Sequence, residues 1–222
     1  YLVGKGKIST TNIKPHYIKK ISDSINLHRP LRVAIDCGNG AASICAEELY
    51  NALGAKVESL FCNVDGNFPN HHPDPSNPEN LIDLQKKLLN GNSELGLAFD
   101  GDGDRLGVVT KKGEIIYPDR QLLLFAEDVL KKNPGSSIIF DVKSTRHLFK
   151  WIKDRGGVPI ISKTGHSIIK AKMKESRSVL AGEMSGHIFF NDYWYGFDDG
   201  VYAGARLLEI LSFFDNPSEI LE

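Results

Sequence analysis

Cysteine is scarce in this sequence, which has three among 222 residues. Cys37, Cys45 and Cys62 form no Cys-x-x-Cys pair, and their odd number argues against a disulfide framework. This excludes a small secreted scaffold held together by disulfides. We therefore expect small thiols packed in a core, and a cytoplasmic protein.

Long apolar runs and an excess of positive charge are also missing. No segment approaches the ~18 consecutive apolar residues of a membrane-spanning helix, and the N-terminal residues lack the basic and apolar regions of a signal peptide. The formal net charge is −1 at pH 7, so no basic field attracts a nucleic acid or an anionic membrane, and we expect neither as a partner. Because position 1 is Tyr rather than Met, we expect the sequence to begin inside a longer protein.

Apolar segments of strand length alternate with amphipathic segments of helix length along the chain. Strands are predicted over 31–36, 55–61, 95–99, 106–110, 114–117, 136–141, 158–161, 178–181 and 188–191. Helices are predicted over 15–27, 41–53, 78–90, 120–132, 145–154 and 167–174, and from about 199 onward. The pattern restarts near Pro118. It predicts an α/β fold of two consecutive α/β/α units, over 1–117 and 118–222, each a mixed sheet flanked by helices.

An acidic loop, residues 100–105, follows the strand predicted over 95–99. Its carboxylates alternate with glycine in the sequence Asp-Gly-Asp-Gly-Asp-Arg, at Asp100, Asp102 and Asp104. Carboxylates so close together repel one another unless a cation lies between them. Their hard oxygen atoms suit Mg²⁺ or Ca²⁺, and the glycines let the chain fold tightly enough for the carboxylates to converge. The loop predicts a divalent-metal site.

Three other interpretations of the acidic loop are an EF-hand, a phosphatase site and a solvated turn. An EF-hand needs Gly and Glu where this loop continues with Arg105 and Lys111, so it is excluded. An aspartyl-phosphate phosphatase carries Asp-x-Asp after an apolar strand, and the acidic pair at 198–199 would mimic its later metal ligands. Asp104 stands where that family has Thr or Val, which weighs against it. A solvated acidic turn explains neither the alternation nor the position at a strand end.

A second polar loop, Gly-Glu-Met-Ser-Gly-His at 182–187, also lies between two predicted apolar strands. We call it the Glu183 loop. Glu183, Ser185 and His187 offer donors and acceptors suited to neighbouring sugar hydroxyls. Taken alone, the sequence fits a polar hairpin better than a binding loop. Loops at strand ends are nevertheless the usual ligand positions in α/β sheets, and each predicted unit presents one.

Together the two loops resemble those of the α-D-phosphohexomutase family, of the phosphomannomutase/phosphoglucomutase type. The acidic loop is similar to the family's magnesium loop, and the Glu183 loop is similar to its sugar-binding loop. Further matching segments lie at 36–41, 65–75, 141–146 and 163–166. The resemblance covers nearly the whole chain and corresponds to the second and third of the family's four domains.

This resemblance implies reversible phosphoryl transfer between O1 and O6 of a hexose phosphate, through an enzyme phosphoserine and a bisphosphate intermediate. The implied substrates are the 1- and 6-phosphates of glucose or mannose, and the implied cofactor is Mg²⁺ on the three aspartates. Arg105 would lie beside the phosphoserine, and Lys143 or His166 would move a proton. The residues implied for sugar binding are Lys143, His166, Glu183, Ser185 and His187.

Two elements of the family are missing from these 222 residues. The phosphoserine belongs to a Ser-His-Asn-Pro loop of the first domain, and that tetrapeptide does not occur here. The phosphate-gripping loop of the fourth domain is also absent. We therefore expect the first and fourth domains of the same polypeptide as partners, and a chain that is inactive alone. A phosphatase-like enzyme and a non-catalytic phosphosugar-binding module remain the alternatives.

Four further patterns have structural interpretations. Gly38 and Gly40 form only part of a dinucleotide-binding fingerprint, so a tight strand-to-helix turn is favoured. The histidines at 71–72 lie among prolines, which is typical of a rigid turn rather than a metal site. The aromatic run at 193–195 predicts packing more than sugar stacking. The acidic pair at 198–199 predicts the cap of the last long helix.

Overall fold

Two mixed β-sheets with helices packed on them form residues 4–221, the part of the chain that the computed structural model describes. Residues 1–3 and 222, at the outer ends of the two predicted units, lie outside the described residues. The first sheet contains β1 (Arg32–Asp36), β2 (Lys56–Leu60), β3 (Leu95–Phe99), β4 (Leu106–Thr110) and β5 (Ile115–Ile116). The second contains β6 (Ser137–Asp141), β7 (Val158–Ser162), β8 (Leu180–Gly182) and β9 (Ile188–Phe190).

The α-helices of residues 4–221 are α1 (Lys14–Ser22), α2 (Ala46–Ala52), α3 (Ile82–Asn90), α4 (Pro118–Lys132), α5 (His147–Asp154), α6 (His166–Ser176), α7 (Gly200–Leu211) and α8 (Pro217–Leu221). Short 3-10 helices at Ala41–Ile44 and Pro78–Leu81 precede α2 and α3. Pro78 and Pro118 each begin a helix, where the missing N–H needs no partner. Among these helices, none is both long and apolar enough to cross a membrane.

The two sheets repeat one strand arrangement. Their orders are β2-β1-β3-β4-β5 and β7-β6-β8-β9. In each, the first strand pairs in parallel with the next two along the chain, and the fourth returns antiparallel. The acidic loop joins β3 to β4, and the Glu183 loop joins β8 to β9. The predicted fold class, two α/β/α units with mixed sheets, is confirmed.

Helix α7 packs against both sheets and makes their cores continuous. It contacts β3 and β4 of the first sheet and β9 of the second, and its buried residues belong to one cluster with Leu97 and Phe190. The Tyr50 hydroxyl of α2 donates a 2.9 Å hydrogen bond to the carbonyl of Val201. A side chain at Gly204 would collide with that hydroxyl, so glycine permits the close approach. The loops at the ends of β3 and β8 are thereby held on one rigid support.

Four predicted helices are shorter or divided in the structure. The helix predicted over 145–154 begins at His147, and the one predicted over 78–90 begins as the 3-10 helix Pro78–Leu81. The other two differ more. The helix predicted over 15–27 ends at Ser22, because the Ser24 hydroxyl donates to the carbonyls of Lys20 and Ile21 at its C-terminus. Ile25 is still buried beyond the helix end. The helix predicted over 41–53 is divided at Cys45, whose φ of −137° is not helical. Neither difference moves the loops that follow β3 and β8.

Candidate functional site

The acidic loop brings its three carboxylates together. One oxygen each from Asp100, Asp102 and Asp104 lies within 4.8 Å of the others. Asp100 is buried, Asp102 is exposed and Asp104 is half-buried. Gly103 turns the chain with a φ of +82°, a conformation that favours glycine. The cluster therefore opens toward solvent on the side of Asp102, which is the geometry that a bound cation with water ligands requires.

Asp100 holds the acidic loop in shape. Its Oδ1 accepts hydrogen bonds from the backbone amides of Gly103 (3.1 Å) and Arg105 (3.0 Å). Its Oδ2 accepts from Nε of Arg105 at 2.6 Å. Nη1 of Arg105 also contacts Oδ1 of Asp74 at 3.1 Å. The guanidinium of Arg105 is thus fixed between two carboxylates at the edge of the cluster.

Asp104 is the carboxylate of the cluster whose charged form is most disfavoured by its surroundings. Its pKa is raised to about 6, chiefly by burial, and the charges of Asp100 and Asp102 add to the effect while His187 opposes it. Its Oδ1 is buried and, among the described residues, has no hydrogen-bond partner. It lies 3.4 Å from Nδ1 of His187, at ion-pair distance. The three carboxylates fit a divalent cation, which would offset their mutual repulsion.

The acidic loop and the Glu183 loop are joined by backbone pairing across the two sheets. Arg105 and His187 form an antiparallel bridge, and the amide of Leu106 donates to the carbonyl of Gly186 at 3.2 Å. The amide of Gly200, at the start of α7, donates to the carbonyl of Gly103 at 3.0 Å. The two loops that the sequence singled out therefore lie side by side.

Within the Glu183 loop, the three predicted sugar-binding residues have different environments. Glu183 is 2% exposed, and its Oε1 accepts a hydrogen bond from the amide of Gly165. Ser185 is half-buried and lines a cavity of about 230 Å³ beside the junction of the units. The side chain of His187 is 17% exposed. Glu183 thus ties its loop to the segment before α6.

Lys143 follows β6 and His166 begins α6. Both segments are linked to the Glu183 loop, whose Met184 amide donates at 3.4 Å, by the buried carboxylate of Asp141. Its Oδ1 accepts from the Ser144 hydroxyl at 2.7 Å, and its Oδ2 accepts from the Thr164 hydroxyl at 2.8 Å. Lys143 is exposed. His166 begins α6, is exposed, and stacks on the His187 ring with 5.7 Å between centroids. His166 therefore lies beside His187, the residue that pairs with Arg105 of the acidic loop.

Two family models match this chain, one for each sheet. The phosphoglucomutase/phosphomannomutase model for α/β/α domain II matches residues 15–113, and the model for domain III matches residues 117–222. The chain belongs to the phosphoglucomutase/phosphomannomutase family. The domain II match ends at residue 113 and the domain III match begins at residue 117, close to Pro118. Together the two matches cover most of the chain.

Relatives of known name share this part of the family. A phosphoglucomutase of Neisseria gonorrhoeae is 62% identical over 98% of this chain and 47% of its own length. A phosphomannomutase/phosphoglucomutase of Pseudomonas aeruginosa is 59% identical over 97% of this chain and 47% of its own length. The crystal structure of a family protein from Burkholderia thailandensis matches with a TM-score of 0.93 and 58% identity, over 95% of this chain and 46% of that one. The chain spans about half the length of the curated relatives it matches.

In this phosphoglucomutase/phosphomannomutase-family chain, sequence reasoning missed the position of Asp198. Of the pair predicted to cap α7, only Asp199 does so, since its side chain accepts from the amide of Tyr202 at 2.9 Å. Asp198 turns the other way, toward His187 and Lys170. No local pattern indicates this, because the turn is imposed by a β-bridge between Asp198 and Phe189.

The imidazole of His187 lies between carboxylates of both units. Its Nδ1 is 3.1 Å from Oδ2 of Asp198 and 3.4 Å from Oδ1 of Asp104. Burial lowers the pKa of His187, but the two carboxylates outweigh burial and raise the pKa above its ordinary value. The pKa of Asp198 is lowered, because His187 and Lys170 together outweigh its burial. This ion pair connects the acidic loop to the second sheet.

The other patterns noted in the sequence are structural. Gly38 has a φ of +50°, as the predicted tight turn requires. Nε2 of His71 is 3.1 Å from the buried carboxylate of Asp36, so this histidine holds the 65–75 loop to the end of β1. The Trp194 ring stacks on Tyr202 at 4.4 Å, which confirms packing for the centre of the aromatic run.

Proposed function

We propose that this chain is the metal- and sugar-binding part of a phosphohexomutase that interconverts hexose 1-phosphates and 6-phosphates. Glucose and mannose phosphates are the proposed substrates, and the reaction passes through an enzyme phosphoserine and a bisphosphate. The observation that carries the proposal is the backbone pairing of Arg105 with His187, which sets the acidic loop beside the Glu183 loop. Membership of the phosphoglucomutase/phosphomannomutase family supports it. The free cysteines agree with a cytoplasmic enzyme.

In this proposal Asp100, Asp102 and Asp104 hold Mg²⁺. When bound, the metal neutralises charge on the phosphoserine and on the phosphoryl group in transit. Asp100 has oxygens committed to the loop backbone and to Arg105, so it shapes the site as well as charging it. Asp102 is exposed and Asp104 has an unpartnered oxygen. Asp102 and Asp104 therefore have more oxygen atoms available to coordinate a cation than Asp100 has.

Arg105 is proposed to bind phosphate oxygens beside the metal. A guanidinium has five N–H donors in a rigid fork. Nε is held by Asp100 and Nη1 by Asp74, which fixes the plane of the fork and leaves further donors for a phosphoryl group. Such fixed donors stabilise developing charge without reorganising during the reaction.

The sugar is proposed to bind against the second sheet. The residues proposed for it are Lys143, His166, Glu183, Ser185 and His187. Asp141 and Glu183 tie the three segments that carry them to one another. Lys143 or His166, both exposed, are proposed to move the proton of the reacting hydroxyl.

An aspartyl-phosphate phosphatase is less well supported. Asp100, the nucleophile of that mechanism, is 2% exposed and has both oxygens in hydrogen bonds. Asp199 would supply a metal ligand, but its carboxylate accepts from the Tyr17 hydroxyl and caps α7. The acidic pair at 198–199 therefore does not face a metal as a unit.

A coupled assay for glucose 6-phosphate tests the proposed function. This chain, given glucose 1-phosphate, Mg²⁺ and catalytic bisphosphate, should show no turnover, because it has no serine in the required loop to form the covalent intermediate. A longer polypeptide that adds the family's first and fourth domains should turn over. Turnover by this chain alone that survives repurification and is lost in Asp100→Ala would overturn the proposal and favour the aspartyl-phosphate mechanism.

A further inference from the structure

Asp198 lies at the centre of a charged group formed by two imidazoles and an ammonium. Its Oδ1 accepts from Nζ of Lys170 at 2.9 Å. Its Oδ2 is 3.1 Å from Nδ1 of His187 and 3.6 Å from Nδ1 of His166. The side chain of Asp198 is only 5% exposed. One buried carboxylate thus faces both histidines that we propose to contact the sugar.

The backbone of Asp198 is fixed on both sides. Asp198 forms a β-bridge with Phe189, the middle residue of β9. The next residue, Asp199, caps α7. The following amide, of Gly200, donates to the carbonyl of Gly103 in the acidic loop. The position of the carboxylate is therefore set by the backbone bridge of Asp198 and by the contacts of the two residues that follow it, and only the side-chain torsions of Asp198 remain.

We propose that Asp198 is a positioning residue for the mutase reaction, acting through His187. The inference rests on the proposed function. The Asp198 carboxylate, whose Oδ2 lies 3.1 Å from Nδ1 of His187 in an ion pair, favours by its charge the ring position in which Nδ1 faces it and Nε2 points away. No hydrogen bond to that Nε2 is made by the described residues. A carboxylate that orients a histidine in this way selects both its ring position and its tautomer.

Asp198 also positions His166, through Lys170. Nζ of Lys170 lies 3.3 Å from Nδ1 of His166, and the His166 ring stacks at 20° on the His187 ring. Without the carboxylate, the ammonium and the two imidazoles would face one another, and Asp104 would be the remaining ion-pair partner of His187. The stacked rings of His166 and His187 would then lose the one carboxylate that lies close to both.

Asp198→Asn is the principal test variant, because the amide keeps the shape and removes the charge. Asp192→Asn is the matched control: Asp192 is another buried aspartate of the same segment, and it pairs with Arg206 rather than with a histidine. Both variants remove a buried charge from an ion pair, so both are expected to lower stability. Only Asp198→Asn is expected to change the ring position and the tautomer of His187.

The first measurement is long-range ¹H–¹⁵N correlation of the histidine rings in this chain, without substrate and at a pH high enough that the His187 ring is neutral in every variant. We expect one dominant His187 tautomer, with the proton on Nδ1, in the wild type and in Asp192→Asn. Asp198→Asn should give a mixture of tautomers at His187. Unchanged His187 signals in Asp198→Asn would overturn the proposal. This readout does not depend on mutase activity, so it separates failure of the inference from failure of the proposed function.

The second measurement is a double-mutant cycle in the longer polypeptide that carries all family domains. Asp198→Asn should lower kcat by about ten- to a hundredfold, as loss of a ring-orienting carboxylate does elsewhere, with the KM for sugar phosphate and the Mg²⁺ affinity within about twofold. In a His187→Gln background the same change should have almost no further effect. Full additivity of the two losses would show that Asp198 does not act through His187 and would overturn the inference.

Discussion

The backbone amide of Ala41 donates a 2.9 Å hydrogen bond to the carbonyl oxygen of Gly101. This bond joins the turn after β1 to the acidic loop that follows β3. The preceding residue, Gly40, is packed so closely that an added Cβ would lie 2.7 Å from the same oxygen. The shape of the acidic loop therefore depends on a neighbouring turn that contributes no carboxylate to it.

Gly40→Ala is predicted to damage the metal site from outside. The new methyl group must displace the Gly101 carbonyl, and overpacking of this kind lowers the free energy of unfolding by about 1–3 kcal/mol. Mg²⁺ affinity should fall with it, because Asp100 and Asp102 flank the displaced peptide. Urea unfolding and calorimetric Mg²⁺ titration measure the two effects. Gly66→Ala is the control, since no atom would lie within 4 Å of its Cβ; equal effects in both variants would contradict the prediction.

Asp102→Ala is predicted to weaken Mg²⁺ binding by about tenfold or more, since it removes a proposed ligand. The apo fold should not be destabilised, because Asp102 is exposed and its charge helps to raise the pKa of Asp104. Calorimetric titration gives the affinity, and thermal unfolding without metal gives the stability. Asp83→Ala removes a partly exposed carboxylate in the first turn of α3, where it pairs with Lys86, and serves as the control for Mg²⁺ affinity. Identical Mg²⁺ binding by wild type and Asp102→Ala would disprove the ligand assignment.

Glu183→Ala is predicted to impair sugar use in the longer polypeptide and to leave Mg²⁺ affinity unchanged. Loss of a charged hydrogen-bond partner costs about 1.5–3 kcal/mol, or roughly one to two decades in kcat/KM. Part of the loss should come from the freed Gly165 amide, to which Glu183 is bonded. Steady-state kinetics with glucose 1-phosphate and mannose 1-phosphate measure it. Glu175→Ala, an exposed carboxylate on α6, is the control; unchanged kinetics in Glu183→Ala would count against the assignment.

His71→Gln is predicted to lower stability in a pH-dependent way. The hydrogen bond to Asp36 outweighs burial and raises the pKa of His71 in the folded chain. A raised folded-state pKa means that the stabilisation is complete below the unfolded-state pKa of about 6.5 and is lost as the pH rises through the folded-state value. The difference in unfolding free energy between wild type and His71→Gln should therefore be larger at about pH 5.5 than at about pH 9.

Urea unfolding at both pH values measures that difference. His16→Gln, which removes an exposed histidine of α1, should show no comparable change between the two conditions. A wild-type advantage over His71→Gln that grows toward high pH would reverse the predicted sign.

Strands and loop contents were predictable from local sequence. The strands predicted over 95–99 and 106–110 match β3 and β4 residue for residue, because both are apolar and end at polar or glycine residues. The convergence of Asp100, Asp102 and Asp104 was also within reach, since alternation with glycine in one short loop is a local property. That these carboxylates bind Mg²⁺ remains a prediction.

Contacts between distant segments were not predictable in this way. Periodicity indicates that α7 is apolar, but not that it packs on both sheets. The sequence pattern indicates an acidic pair before α7, but not that a bridge to Phe189 turns Asp198 toward His187. Such placements depend on the relative position of the two sheets, which no single segment encodes.

The pairing of Arg105 with His187 has a consequence for molecular recognition. Since these backbone bonds form during folding, the entropy lost in aligning the two loops does not have to be lost again when a ligand binds. The distance between the two loops is thus set before any ligand binds. If the proposed function is correct, we expect this spacing to disfavour sugars whose hydroxyls lie at another distance from the phosphoryl group.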